Sequence, residues 1–83
     1  MSEEAVKRDD LKKLILDAIA SRGGSARIPE IGKHIWDRHE PALKASGEFF
    51  YVWQYELRWA SNQLAREGKL DKTSTRGVWK KLP

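Results

Sequence analysis

The chain contains no cysteine, so neither a disulfide framework nor a thiolate metal site can be built from it. It also lacks a long apolar run. The longest, Phe49-Phe50-Tyr51-Val52-Trp53, falls far short of the roughly 20 residues that a membrane-crossing helix needs. No signal peptide is legible, because the amino terminus is acidic (Ser2-Glu3-Glu4) where a basic stretch followed by an apolar one is required. A soluble, cytoplasmic protein without membrane contact is the expectation. The only histidines, His34 and His39, lie five apart and so do not share a helical face, and no carboxylates stand at a matching spacing. No metal or other cofactor is implied. The acids form no catalytic pair: Asp9-Asp10 reads as a helix cap and Glu3-Glu4 as a tail. Gly-rich phosphate loops, nucleophile elbows and metal-dependent nuclease motifs are absent, so the sequence reads as a non-enzyme.

What is present suits one small domain with a single core: 83 residues, 40% hydrophobic, with four Trp, two Phe and two Tyr. The net charge is +4, and its placement is informative. Residues 69–83 carry five cations (Lys69, Lys72, Arg76, Lys80, Lys81) against one acid (Asp71), whereas residues 1–68 hold eleven of each sign. The whole surplus therefore sits at one end, which suits a polyanionic partner. The alternative is a solvated ribbon whose lysines blunt an exposed sheet edge.

Residues 1–8 read as a flexible terminus and residues 9–83 as the domain. Asp9 or Asp10 can cap a first helix whose apolar positions Leu11, Leu14, Ile15, Ala18 and Ile19 form one stripe, ended by Gly23-Gly24. Ser25-Ala26-Arg27-Ile28 is extended and can supply a short third strand. Pro29 then opens a second helix with Glu30 near its positive end, and Ile31, Ile35 and Trp36 form its stripe. Gly32 would permit close packing. This helix is expected to fade near His39-Glu40, ahead of a loop over residues 41–48. A third helix starts between Ser46 and Phe49 and stops at Gly68, with Phe50, Trp53, Leu57, Ala60 and Leu64 on its buried face. Its opposite face collects Tyr51, Tyr55, Arg58, Asn62 and Arg66.

After Gly68 the period changes to that of strands. Residues 69–72 and 78–82 flank the polar turn Thr73-Ser74-Thr75-Arg76-Gly77. Val78 with Leu82 and Trp79 occupy opposite phases, which leaves the buried face of the ribbon open. Three helices followed by a β-hairpin, with a short extra strand, make an α+β fold of the winged helix-turn-helix type.

In such a fold the third helix and the hairpin are the elements that most often touch DNA. Arg can fork onto guanine, Asn can pair with adenine, and Tyr can donate to phosphate. Candidate contacts are therefore Tyr55, Arg58, Asn62 and Arg66 on the helix, with Lys72, Thr75, Arg76 and Lys80 on the wing. The competing reading makes the helix face ordinary wet surface and Gly77 a plain turn residue. Trp36 and Trp53 are expected in the core, with Trp59 and Trp79 packing together where helix meets wing. Phe49 and Tyr51 are candidates for a homodimer or protein contact.

The chain resembles the amino-terminal winged-helix domain of Mrr-type restriction proteins. The resemblance rests on Trp59-Ala60, Leu64, Gly68, Leu70 and Arg76-Gly77-Val78-Trp79, preceded by a compatible leading helix and a long second connection. It implies double-stranded DNA as the partner, in a regulatory or restriction-related setting. Cleavage, which those proteins carry in a separate nuclease domain, is not implied for these residues. A winged-helix module that binds another protein is the alternative from a different class.

Overall fold

The computed structural model describes residues 6–82 and shows a small α+β protein of three helices and a three-stranded antiparallel sheet. The elements run α1 (Asp10–Ala20), β1 (Ser25–Arg27), α2 (Ile28–Lys44), a 3-10 turn (Gly47–Tyr51), α3 (Trp53–Arg66), β2 (Leu70–Thr75) and β3 (Val78–Lys81). The sheet order is β1-β3-β2, so the last strand sits in the middle and pairs with both neighbours. Among the described residues no helix is long and apolar enough to cross a membrane.

The stripe on α1 buries Leu11, Ile15, Ala18 and Ile19, while Leu14 is half-buried. Neither aspartate caps the helix as expected. Asp9 makes no side-chain bond at the N-cap, and the Asp10 carboxylate reaches back to accept from the Lys7 amide at 2.9 Å. Of the terminus expected to be flexible, residues 1–5 lie outside the described part, but Val6 is buried and its amide donates to Ser46 Oγ at 2.8 Å. Val6 therefore belongs to the packed unit, three residues ahead of the expected boundary at residue 9.

Glu30 accepts from the Arg27 amide at 2.8 Å and closes the first turn of α2 behind Pro29. The break expected at His39 is there, with φ −126° and ψ 18°. Beyond it, the expected loop does not form. Helical conformation resumes through Lys44, since Pro41 is tolerated at the start of a new helical segment and Leu43 is drawn fully into the core. Gly32 does not serve close packing either, because a Cβ there would meet nothing within 4 Å.

The third helix is split in the same way. A 3-10 turn carries Phe49, Phe50 and Tyr51, Val52 breaks the geometry at φ −125°, and α3 proper begins at Trp53. From there the expected seam holds, with Trp53, Leu57, Ala60 and Leu64 all buried. Gly68, at φ +75°, ends the helix. The Lys69 amide bonds back to Leu64 O and the Gly68 amide to Ala65 O, satisfying carbonyls that the helix end would otherwise leave unpaired.

Register settles the face of the ribbon. Ala26 pairs with Trp79 and both are buried, so Trp79 and Leu70 point at the helices. Val78 is half-buried on the other face and Leu82 is exposed. Trp59 and Trp79 do not pack together. Trp59 instead lies under the Arg8 guanidinium, 3.8 Å from its ring centroid.

Candidate nucleic-acid interface

Because α3 commits one face to the core, its polar residues are left pointing outward. Tyr55, Arg58 and Asn62 are exposed at helical spacing and line one shallow depression of about 250 Å³ together with Trp59 and the paired Arg8 and Glu56. Arg66 continues the same face one turn further on and is also exposed. Tyr51, expected on this face, is not on it. The break at Val52 takes it out of phase with α3 and leaves it 83% exposed beside Phe50.

Lys72 joins helix to ribbon. It shares the inward face of β2 with Leu70, since residues two apart along a strand point the same way. Its Nζ donates to Asn62 Oδ1 at 2.5 Å and sits 5.2 Å from the centroid of Trp79. Arg58 and Lys72 line the same notch of about 300 Å³, walled by Ile28, Leu57 and Trp79, with Gln54 at its side. Partial burial pushes the Lys72 amine below the ordinary lysine value, and the neighbouring Arg58 charge adds to this. Two cations thus share an apolar-walled notch in which no acid neutralises them. Such an arrangement is held at some cost in the free protein and is relieved by an anion.

The ribbon of β2 and β3 has a built shape. Four steps along β2, from Asp71 to Thr75, face two along β3, from Lys80 to Val78, so β2 bulges. The Asp71 carboxylate holds this bulge, accepting from the Thr73 and Ser74 amides at 3.0 Å each. Thr75 then pairs with Val78, and Arg76-Gly77 alone makes the turn, with Gly77 at φ +76°. The expected five-residue turn is therefore mostly strand, and Arg76 stands exposed at its very tip. Lys80 is not brought to the helix. It pairs with Asp71 and Ser25, on the sheet face turned away from Trp79, and Thr75 opposite Val78 shares that face.

Hydrogen bonds from Ser74, through its hydroxyl and its amide, and from the Thr73 amide lower the Asp71 carboxyl from the usual 3.8 to about 2. A carboxyl lowered on folding stabilises above its unfolded value and ceases to do so as pH falls through its folded one. The bulge should therefore stay closed at neutral and mildly acid pH and open between about pH 4 and pH 2. Amide chemical shifts of Thr73 and Ser74 followed through an acid titration would read this. An Asp71→Ala variant should show those two amides already in their low-pH positions at neutral pH.

Ion pairs take up six of the cations among the described residues. Arg8–Glu56, Lys12–Glu67, Arg22–Glu30, Lys33–Asp37 and Lys44–Glu40 neutralise cations over α1, α2 and the flanks of α3. On the ribbon, Lys69 reaches Glu67 at 3.4 Å. Among the described residues, Arg58, Arg66, Lys72, Arg76, Lys80 and Lys81 form no ion pair, and neither do Lys7, Lys13, Arg27 and Arg38. Six of these ten unpaired cations thus stand on α3 and the ribbon.

Sequence reasoning missed Arg8, Ile28 and Gln54. Arg8 reaches the interface through the Trp59 ring and a 2.7 Å bond to Glu56, a contact 48 residues away for which no local pattern gives a signal. Ile28 carried a usable signal, being an apolar residue beside Pro29 that the helical stripe of α2 does not need. No family model matches this sequence, and comparison with curated proteins and with solved structures finds no match to it.

Proposed function

We propose that this protein is a winged helix-turn-helix domain that binds double-stranded DNA without catalysing a reaction on it, and that it acts in the cytoplasm. In this reading α2 and α3 are the helix-turn-helix, β2 and β3 the wing, and β1 the short third strand. α3 enters the major groove with Tyr55, Arg58, Asn62 and Arg66, while Lys72 and Arg76 meet the backbone. Lys80 and Thr75, on the outer sheet face, serve the wing's other side, where it runs along a phosphate ridge or a minor groove. The observation that carries the reading is the notch where Arg58 and Lys72 converge with no acid in its lining, beside the ribbon that holds the sequence's surplus of cations.

The pattern shared with Mrr-type restriction proteins supports the architecture more than the contacts. Ala60, Leu64, Leu70 and Trp79 are core residues, and Gly68 and Gly77 make turns at positive φ. Arg76 is the charged member of the pattern, and it stands exposed at the turn.

The test is duplex binding measured against salt. Wild type should bind random duplex DNA with an affinity that falls steeply as salt rises, from counterion release. Arg76→Ala should weaken binding to every sequence alike and lower the salt slope by about 1. Because Arg76 is exposed at the turn and forms no ion pair, the melting temperature should not move. Salt-independent association, or none with any duplex, would remove the proposal and leave the protein-binding module as the surviving reading. Its observational support is the exposed aromatic cluster at Tyr51.

A further inference from the structure

Four aromatic rings climb from the core to the surface just ahead of α3. Trp53 is buried and stacks on Trp36 at 6.3 Å with 6° between the planes. Trp36 is half-buried and meets Phe50 at 6.0 Å, and Phe50 meets Tyr51 edge-on at 5.3 Å. Tyr51 ends the series, 83% exposed. These rings and Gln54 line an open depression of about 470 Å³. Gln54 also lines the notch of Arg58 and Lys72, and a third depression beside Ile28 and Gly32. The aromatic shelf and the cationic notch are therefore neighbours that share Gln54 in their linings.

A duplex buries its base faces in its own stack and has no use for exposed rings. Unpaired bases do, because each offers a flat face that stacks on an aromatic side chain while its phosphate seeks a cation. The rings are already ordered by the packing beneath them, so little conformational freedom is lost when a base settles on them. We infer that the shelf of Trp36, Phe50 and Tyr51 receives unpaired bases of a strand whose paired part lies on α3 and the wing. The preferred ligand is then a junction of double- and single-stranded DNA, not an uninterrupted duplex. This rests on the DNA-binding reading and adds the substrate class to it.

Tyr51 makes the inference testable, because a ring this exposed can be removed without harming the fold. Anisotropy titrations would compare a blunt duplex with a shorter duplex that carries a single-stranded extension, the two matched in total phosphates. The extended DNA should bind at least about fivefold more tightly to wild type. The preference should vanish in Tyr51→Ala and survive in Tyr51→Phe, with blunt-duplex affinity equal in all three proteins. Equal affinity for the two DNAs in wild type, or a preference that persists in Tyr51→Ala, overturns the inference while leaving duplex binding intact. Equal affinities together with a self-association that Tyr51→Ala abolishes also overturn it and give the shelf to a second copy of the chain. Binding to neither DNA removes the underlying reading as well.

Discussion

Lys72→Met is expected to leave the protein at least as stable as wild type while cutting its affinity for duplex DNA roughly tenfold, the worth of one charged hydrogen bond to phosphate. The two effects separate because Lys72 does opposite things in the free and bound states. In the free protein its amine is partly desolvated and lies near the Arg58 charge, so its proton is held less firmly than in an unfolded chain. A lysine whose folded value lies below its unfolded one destabilises the fold while charged, and that deficit fades as pH rises towards the ordinary value of 10.5. Methionine keeps an apolar stem over Trp79 and drops the charge. The bond to Asn62 is lost, but Asn62 is exposed and water takes the vacated place at little net cost. Melting curves at neutral pH should therefore favour the variant or show no difference, and wild type should gain on it in the alkaline range. Binding moves the other way, because the removed charge is the one that joins helix to wing. Since Arg58 shares the notch, Arg58→Ala and Lys72→Met should not combine additively. A variant that loses stability and affinity together would place Lys72 in the scaffold and remove it from the interface.

The helical seams could be read from the sequence because each repeats over several turns. Leu11 to Ile19 on α1 and Trp53 to Leu64 on α3 satisfy the same spacing at four or more positions, so one exception such as Leu14 does not disturb them. The connection between α2 and α3 was misread for the opposite reason. Pro41 and Gly47 are local signals for irregular chain, whereas the forces that restore helix there are tertiary: Leu43 is fully buried, and Ser46 Oγ accepts from the Val6 amide 40 residues away. The ribbon's face was undecidable without pairing, because Val78 and Trp79 are both apolar and adjacent. Only the register of Trp79 with Ala26 selects between them.

The candidate site divides along the same line. Tyr55, Arg58, Asn62 and Arg66 follow from the helical period alone, and the structure brings the first three to one depression. That Lys72 belongs with them and Lys80 does not depends on strand alternation through the bulge at Asp71. The bulge in turn depends on a carboxylate that composition reports only as the lone acid among five cations. Tyr51 illustrates a break in periodicity. Counted at 100° per residue it joins the polar side of Tyr55 and Arg58, but one non-helical residue at Val52 sends it to the aromatic shelf instead.

Trp53→Ala should have the largest effect on stability of any single change discussed. The ring is 3% exposed, begins the seam of α3, and stacks on Trp36. Truncating a buried aromatic side chain costs about 3–5 kcal/mol, from lost transfer energy and the cavity left behind. A domain of this length is stable by only about 4–12 kcal/mol, so the variant should lose from about a quarter of that stability to all of it. Chemical denaturation would rank the aromatic substitutions by burial: Trp53→Ala far below wild type, and Trp59→Ala in between, since its ring is half-buried under Arg8. Tyr51→Ala should be indistinguishable from wild type. The ranking bears on function because Trp53 is both the root of the ring series and the neighbour of Gln54, which lines both the shelf and the cationic notch. If Trp53→Ala instead retained a cooperative transition near that of wild type, the rings above it would be packed too loosely to serve as a preordered stacking surface. In that case the outer aromatics would be ordinary exposed side chains.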